Sequence, residues 1–142
     1  MTDRIEAAIK NYRNHYNCSQ SILCAWADKL NMNETSIYRL SEGFGAGMGM
    51  HETCGAITAI LAILSYHCSD GDLGNGKTKA QTYHLMQETA ERFKNKYSSI
   101  TCRELLELRK RQEAQTGVKT CEAVIRSAST LLEEILREKN LL

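Results

Sequence analysis

The chain has 142 residues with 18 Lys and Arg against 17 Asp and Glu, a length that fits one domain able to bury about two-thirds of its unfolded surface without crosslinks. Balanced charge and only two phenylalanines leave neither the basic field nor the aromatic platform that nucleic-acid binding requires. The opening MTDRIEAAIK holds no apolar signal segment, and the longest apolar stretch, residues 54–64, is far shorter than the roughly 20 residues of a membrane span, so a soluble, cytoplasmic protein with no membrane partner is expected.

With no proline and with apolar residues recurring mostly at helical spacing, the expected fold class is all-α, a single-domain helical bundle over residues 1–142. Ile5, Ala8, Ile9, Tyr12 and Tyr16 form one face of a first helix, which Asn17 can end while capping a second from residue 18 to about residue 30. Gln20, three residues after Asn17, completes a capping-box pattern. A short helix over 34–40 gives way to GFGAGMGMHE, where Gly43, Gly45, Gly47 and Gly49 alternate with other residues and no regular helix is expected. The run CGAITAILAILSYHC that follows is apolar on nearly every side and predicts a buried central helix. SDGDLGNGK reads as a polar loop, and a helix over 78–97 carries Tyr83, Met86, Ala90, Phe93 and Tyr97 at heptad-like spacing. Thr101 and Glu104 make a second capping box, starting a short helix with Cys102 near its tip. After Gly117 the last helix carries Cys121, Val124, Ala128, Leu131 and Ile135 on one stripe. The stripes on the last two long helices would serve a core or a homodimer equally well.

Four of the six cysteines follow a residue of the kind that begins helices: Asn17-Cys18, Thr53-Cys54, Thr101-Cys102 and Thr120-Cys121. At a helix start the dipole and the unpaired N–H groups favour negative charge, so each of these thiols is expected to be pushed toward thiolate, the form that attacks disulfides and binds metals. In a reducing cytosol such cysteines serve as metal ligands or catalytic thiols more often than as disulfides. Cys54 and Cys68, 14 residues apart on one helix, are separated by about 21 Å and cannot ligate one small centre. Cys24, six residues after Cys18, points to a largely different face and lies roughly 9 Å along the axis. Both sit in apolar surroundings and read as buried structural thiols.

The other four supply the number of thiolates that tetrahedral zinc, a [2Fe–2S] or a [4Fe–4S] cluster needs. Independent thiols, or a dithiol pair cycling with its disulfide, remain open, with Cys54 the expected nucleophile of a thiol oxidoreductase. No pair has CxxC spacing, which argues against zinc-ribbon, ferredoxin-type and thioredoxin-type motifs, and CxxCH is absent. The alternating glycines can expose backbone N–H groups toward an inorganic sulfide, an anion or another subunit, which makes Gly45, Gly47, Gly49 and Gly55 the candidate cofactor-binding glycines; a tightly packed turn is the plainer reading. The loop is not GxGxxG, and no strand precedes it. His51 is a candidate ligand or proton shuttle; His15, His67 and His84 fit ordinary helix positions. No GxSxG, HExxH, Walker A or EF-hand pattern is present, and the acidic residues read as solvated helix faces.

NCSQSIL around Cys18, FGAGMG followed by ETCGAIT around Cys54, Cys102 in TCRELL, and Cys121 near the start of the final helix together cover nearly the whole chain. In these segments the chain resembles the C-GCAxxG-C-C family of small redox-active bacterial and archaeal proteins. The resemblance implies an all-helical protein. A similar domain in the split-Soret cytochromes carries an iron–sulfur cluster, so the resemblance implies Cys18, Cys54, Cys102 and Cys121 as ligands of a [2Fe–2S] cluster used for electron transfer or redox sensing. The haem-binding part of those cytochromes has no counterpart here, so a separate redox partner protein is implied. Zinc held by the same four cysteines, or metal-free thiol–disulfide exchange, are the alternatives.

Overall fold

Asn17 determines where the second helix begins, and not where the first ends, which is at Arg13. Asn17 Oδ1 accepts the Gln20 N–H at 2.9 Å while Gln20 Oε1 accepts the Asn17 N–H at 2.9 Å, the capping box expected from the sequence. The computed structural model describes residues 2–116 and 121–142 and is all-α, with helices α1 (Thr2–Arg13), α2 (Cys18–Ala25), α3 (Glu34–Ser41), α4 (Gly55–Cys68), α5 (Lys79–Tyr97), α6 (Cys102–Thr116) and α7 (Cys121–Glu138).

The apolar run after the glycine loop becomes α4, whose Ala56, Ile57, Ala59, Ile60, Ile63 and Leu64 are inaccessible to solvent. A helix apolar nearly all round is stable in water only when other helices cover it, and α2, α5 and α7 do so here. The first helix, α1, packs on α2 and α7. The final helix, α7, contributes Val124, Ile125, Ala128, Leu132, Ile135 and Leu136 to the core, with Leu131 half-buried at its edge.

Three expectations are corrected. The second helix does not run unbroken to residue 30: it stops at Ala25 and a tight 3-10 turn, Ala27–Leu30, completes the span, held by Arg4 on the Ala25 carbonyl and the Asp28 carboxylate. Tyr16 falls beyond α1 and packs edge-on against Tyr38 at 4.9 Å. On α5 the buried face is Thr82, Leu85, Thr89 and Phe93, leaving Tyr83 60% exposed. Two buried threonines on that face hide its period from a reading based on apolar residues alone. Gly117 and Thr120 lie outside the described residues, as does the side chain of Cys121.

Candidate functional site

The segment between α3 and α4 coils left-handed: Ala46, Gly47, Met48, Gly49 and His51 all have φ between 51° and 71°. The Glu52 N–H closes this turn on the Gly47 carbonyl at 3.1 Å. Beyond it Thr53 pairs with Thr101 in an isolated antiparallel bridge. There the Cys54 N–H reaches the Ile100 carbonyl at 2.8 Å and the Cys102 N–H reaches the Glu52 carbonyl at 2.5 Å. Two bonds between segments far apart in the chain therefore fix α4 and α6 to begin side by side.

Gly55 brings in the third helix start. A Cβ at Gly55 would stand 2.8 Å from the Phe44 carbonyl oxygen and 3.3 Å from the Ser19 nitrogen, so the first turns of α4 and α2 touch where only glycine fits. At Gly47 a Cβ would meet the Glu52 nitrogen at 2.5 Å and Cys102 Cβ at 2.8 Å, and at Gly45 it would overlap the Asn17 side chain. Gly49 faces open space. Of the four candidate glycines, Gly45, Gly47 and Gly55 are thus required by contacts between protein segments, and Gly47 and Gly55 also line the cavity these contacts enclose.

That cavity, about 270 Å³, is bordered by Cys18, Cys54 and Cys102, together with His51 and Arg109. Three of the four cysteines singled out from the sequence are therefore brought together. The fourth, Cys121, is the first residue of α7, and Val124, one turn further along α7, lines the same cavity. Cys24 is buried elsewhere, with its Sγ 3.9 Å from the Glu34 carbonyl. Cys68 is only half-buried, receives the Gln81 Nε2 at 3.6 Å, and does not match the fully buried thiol expected. Neither borders the cavity.

Cys18 and Cys102 occupy the first helical positions, as their preceding residues predict. Cys54 does not: α4 begins at Gly55, Thr53 is in the bridge, and Cys54 is itself the cap residue. Its side chain makes no capping hydrogen bond, but the nearby Ala56 and Ile57 N–H groups favour its thiolate.

The expected drift toward thiolate is overturned at all three positions. Burial, reinforced by the neighbouring Cys54, pushes the Cys18 thiol up to about 12. Burial also raises Cys54 against the pull of its two backbone N–H groups, and raises Cys102 against the fields of Arg109 and Arg103. Desolvating a thiolate costs more than a helix start returns when the sulfur is cut off from water. Arg109 opposes the rise at each of the three sulfurs, and so acts as the cavity's shared positive charge. A cation or cluster entering the cavity must displace these protons.

The sequence reading passed over Arg109 and named His51 as a candidate ligand or proton shuttle. Arg109 follows Cys102 by seven residues, two helical turns, so both project from one side of α6; that spacing was the available signal. His51 Nδ1 lies 3.7 Å from Cys102 Sγ, a contact made by the left-handed turn and not by any local motif. Among the described residues no three Cys, His, Asp or Glu side chains form a group that could hold a single ion, and the Cys121 side chain lies outside that set. No helix among the described residues is long and apolar enough to cross a membrane.

No curated protein and no solved structure matches the chain. A family model described as "Putative redox-active protein (C_GCAxxG_C_C)" matches residues 16–135. The matched span takes in the capped start of α2, the glycine turn, α4, the start of α6 with its cysteine, and α7 as far as Ile135. On that match the chain belongs to the C_GCAxxG_C_C family of redox-active proteins.

Proposed function

We propose that the cavity at the joined starts of α2, α4 and α6 is a redox centre, in which Cys18, Cys54, Cys102 and Cys121 hold a [2Fe–2S] cluster for electron transfer. The observation that carries this reading is the convergence of three cysteines from remote parts of the chain onto one small cavity that Cys24 and Cys68 do not border. A single tetrahedral zinc, with sulfurs about 2.3 Å from the metal, needs its ligands gathered within about 4 Å of one another. Four cysteine thiolates suit zinc and a [2Fe–2S] cluster alike, and metal analysis separates the two. When bound, such a cluster supplies one-electron transfer at a potential set by its hydrogen bonds and exposure. The chain contributes four thiolates once their protons leave. Arg109 and the helix-start N–H groups offset their negative charge. Apolar walls such as Leu105 limit water, and the left-handed turn keeps His51 beside the Cys102 sulfur.

Iron, zinc and acid-labile sulfide measured per chain on protein purified without oxygen, with a visible spectrum, test the reading. About two irons and two sulfides with charge-transfer absorption are expected. Cys54→Ser should lose most of the iron and Cys24→Ser should retain it; equal iron in the two variants would sink the assignment. Colourless protein with one zinc would point to a structural four-cysteine site, and absence of both metals to thiol–disulfide exchange.

A further inference from the structure

The backbone on both sides of His51 is tied to the start of α6. Before it, Arg103 Nη2 donates to the Met50 carbonyl at 3.5 Å, and Arg103 directly follows Cys102. After it, Glu52 accepts the Cys102 N–H on its carbonyl and closes its own N–H on Gly47. The His51 imidazole is thereby held with Nδ1 3.7 Å from Cys102 Sγ, a hydrogen-bond distance for sulfur, whose radius exceeds that of oxygen. The position is strained: φ at His51 is 57°, in the left-handed region where glycine is at ease and most other residues are not. Glycine already occupies two places in the same turn, Gly47 and Gly49. Strain kept at a residue that touches a candidate ligand points to a role for its side chain.

The direction of the bond follows from the state of the sulfur. A free thiol can donate or accept, whereas a cysteine that ligates metal is a thiolate and only accepts. In the loaded centre the contact therefore requires a proton on His51 Nδ1. Reduction adds negative charge to a cluster and its sulfurs, so a donor held at one sulfur favours the reduced form over the oxidised one. We propose that His51 Nδ1–H donates to the Cys102 sulfur and raises the reduction potential of the centre, as a tuning residue outside the ligand set. This inference rests on the cluster reading above; the contact itself does not.

Spectroelectrochemical titration of the iron-loaded full chain, prepared without oxygen, reads the midpoint potential, with iron counted on the same samples. His51→Gly suits the left-handed backbone and removes the donor. It should keep wild-type iron and shift the midpoint to lower potential, a change of about two- to fivefold in the ratio of reduced to oxidised protein at a fixed potential. His51→Asn tolerates the same backbone and places its amide N–H at the same remove from Cβ as Nδ1, so it should recover most of the shift. A role confined to the turn would leave both variants at the wild-type potential. Pulsed EPR on reduced protein, isotopically labelled at its histidine nitrogens, should show a weak nitrogen coupling that His51→Gly removes. With iron present in the wild type, the inference alone is overturned by an unchanged potential in His51→Gly, or by an Asn variant no better than the Gly variant. Loss of iron from His51→Gly, or the strong coupling of a directly bound nitrogen, would equally overturn it, since His51 would then be a ligand or a strut. A wild-type chain that holds no iron overturns this inference and the cluster reading together.

Discussion

Gly47 stands where a methyl group has no room and where the backbone turns left-handed, with φ at 57°. Gly49 shares the left-handed backbone but faces open space. The pair therefore separates backbone strain from crowding. Gly49→Ala should cost about 1 kcal/mol, the backbone term alone, and leave iron content unchanged. Gly47→Ala should cost more than about 2 kcal/mol by urea denaturation and lower the iron bound, because the added carbon moves Cys102 or Glu52. Equal effects of the two substitutions on iron would show that the Gly47 contact does not position the centre. Cys18 makes a pH-dependent statement at the same scale. A thiol whose folded pKa lies above its unfolded value holds its proton more tightly when folded. Its contribution to stability is fully present below about pH 9 and is lost as pH rises toward 12. The metal-free chain should lose urea resistance above pH 9, and Cys18→Ala should flatten that loss. The lowered thiolate character at these sulfurs was not legible in the sequence, because Asn17 and Thr101 report a helix start but not how much water the finished fold leaves around it.

Elements whose boundaries are set by local chemistry were legible, and α2 shows why. The Asn17 side chain caps α2 through Oδ1 and ties down the loop through Nδ2, which donates to the Glu42 carbonyl at 2.9 Å. Asn17→Ala should cost about 1–2 kcal/mol by thermal or urea unfolding. Asn17→Asp, which keeps the capping acceptor and removes the loop donor, should recover the cap's share only. An Asp variant no more stable than the Ala variant would place the whole effect in the loop. The starts of α2 and α6 and the buried run of α4 follow from residues within a few positions of each other. The start of α4 was misplaced by one residue because Thr53 is claimed by Thr101, a partner that spacing along the chain does not reveal. Likewise Cys18, Cys54 and Cys102 could be selected as a set from their preceding residues, whereas their meeting point depends on the bridge, on Gly55 against Ser19, and on the left-handed turn. His51 comes beside Cys102 only through that tertiary arrangement, whereas Arg109 shares a side of α6 with Cys102, a spacing that the sequence offered.

At the scale of the whole molecule, the helices are held very unequally. Neighbouring helices enclose α4, and its apolar residues are inaccessible. By contrast, α6 is secured chiefly through the Gly47–His51 turn, the Cys102 N–H bond to Glu52, and the buried Leu105. Opening α6 in the metal-free chain exposes little of the core, so its backbone amides should exchange with solvent orders of magnitude faster than those of α4. A centre ligated by Cys102 together with Cys18 and Cys54 changes this, because α6 can then leave only by breaking a bond to it. Binding that favours the closed state stabilises that state by mass action. Hydrogen exchange followed by mass spectrometry on metal-free and iron-loaded protein should show α6 slowed at least tenfold on loading, with α4 nearly unchanged. Cys102→Ser should abolish the difference while leaving the metal-free pattern as it was. Slowing of α6 no greater than that of α1, whose residues border the cavity only at Tyr12, would mean that Cys102 is not a ligand and that the centre, whatever its metal, is held without α6.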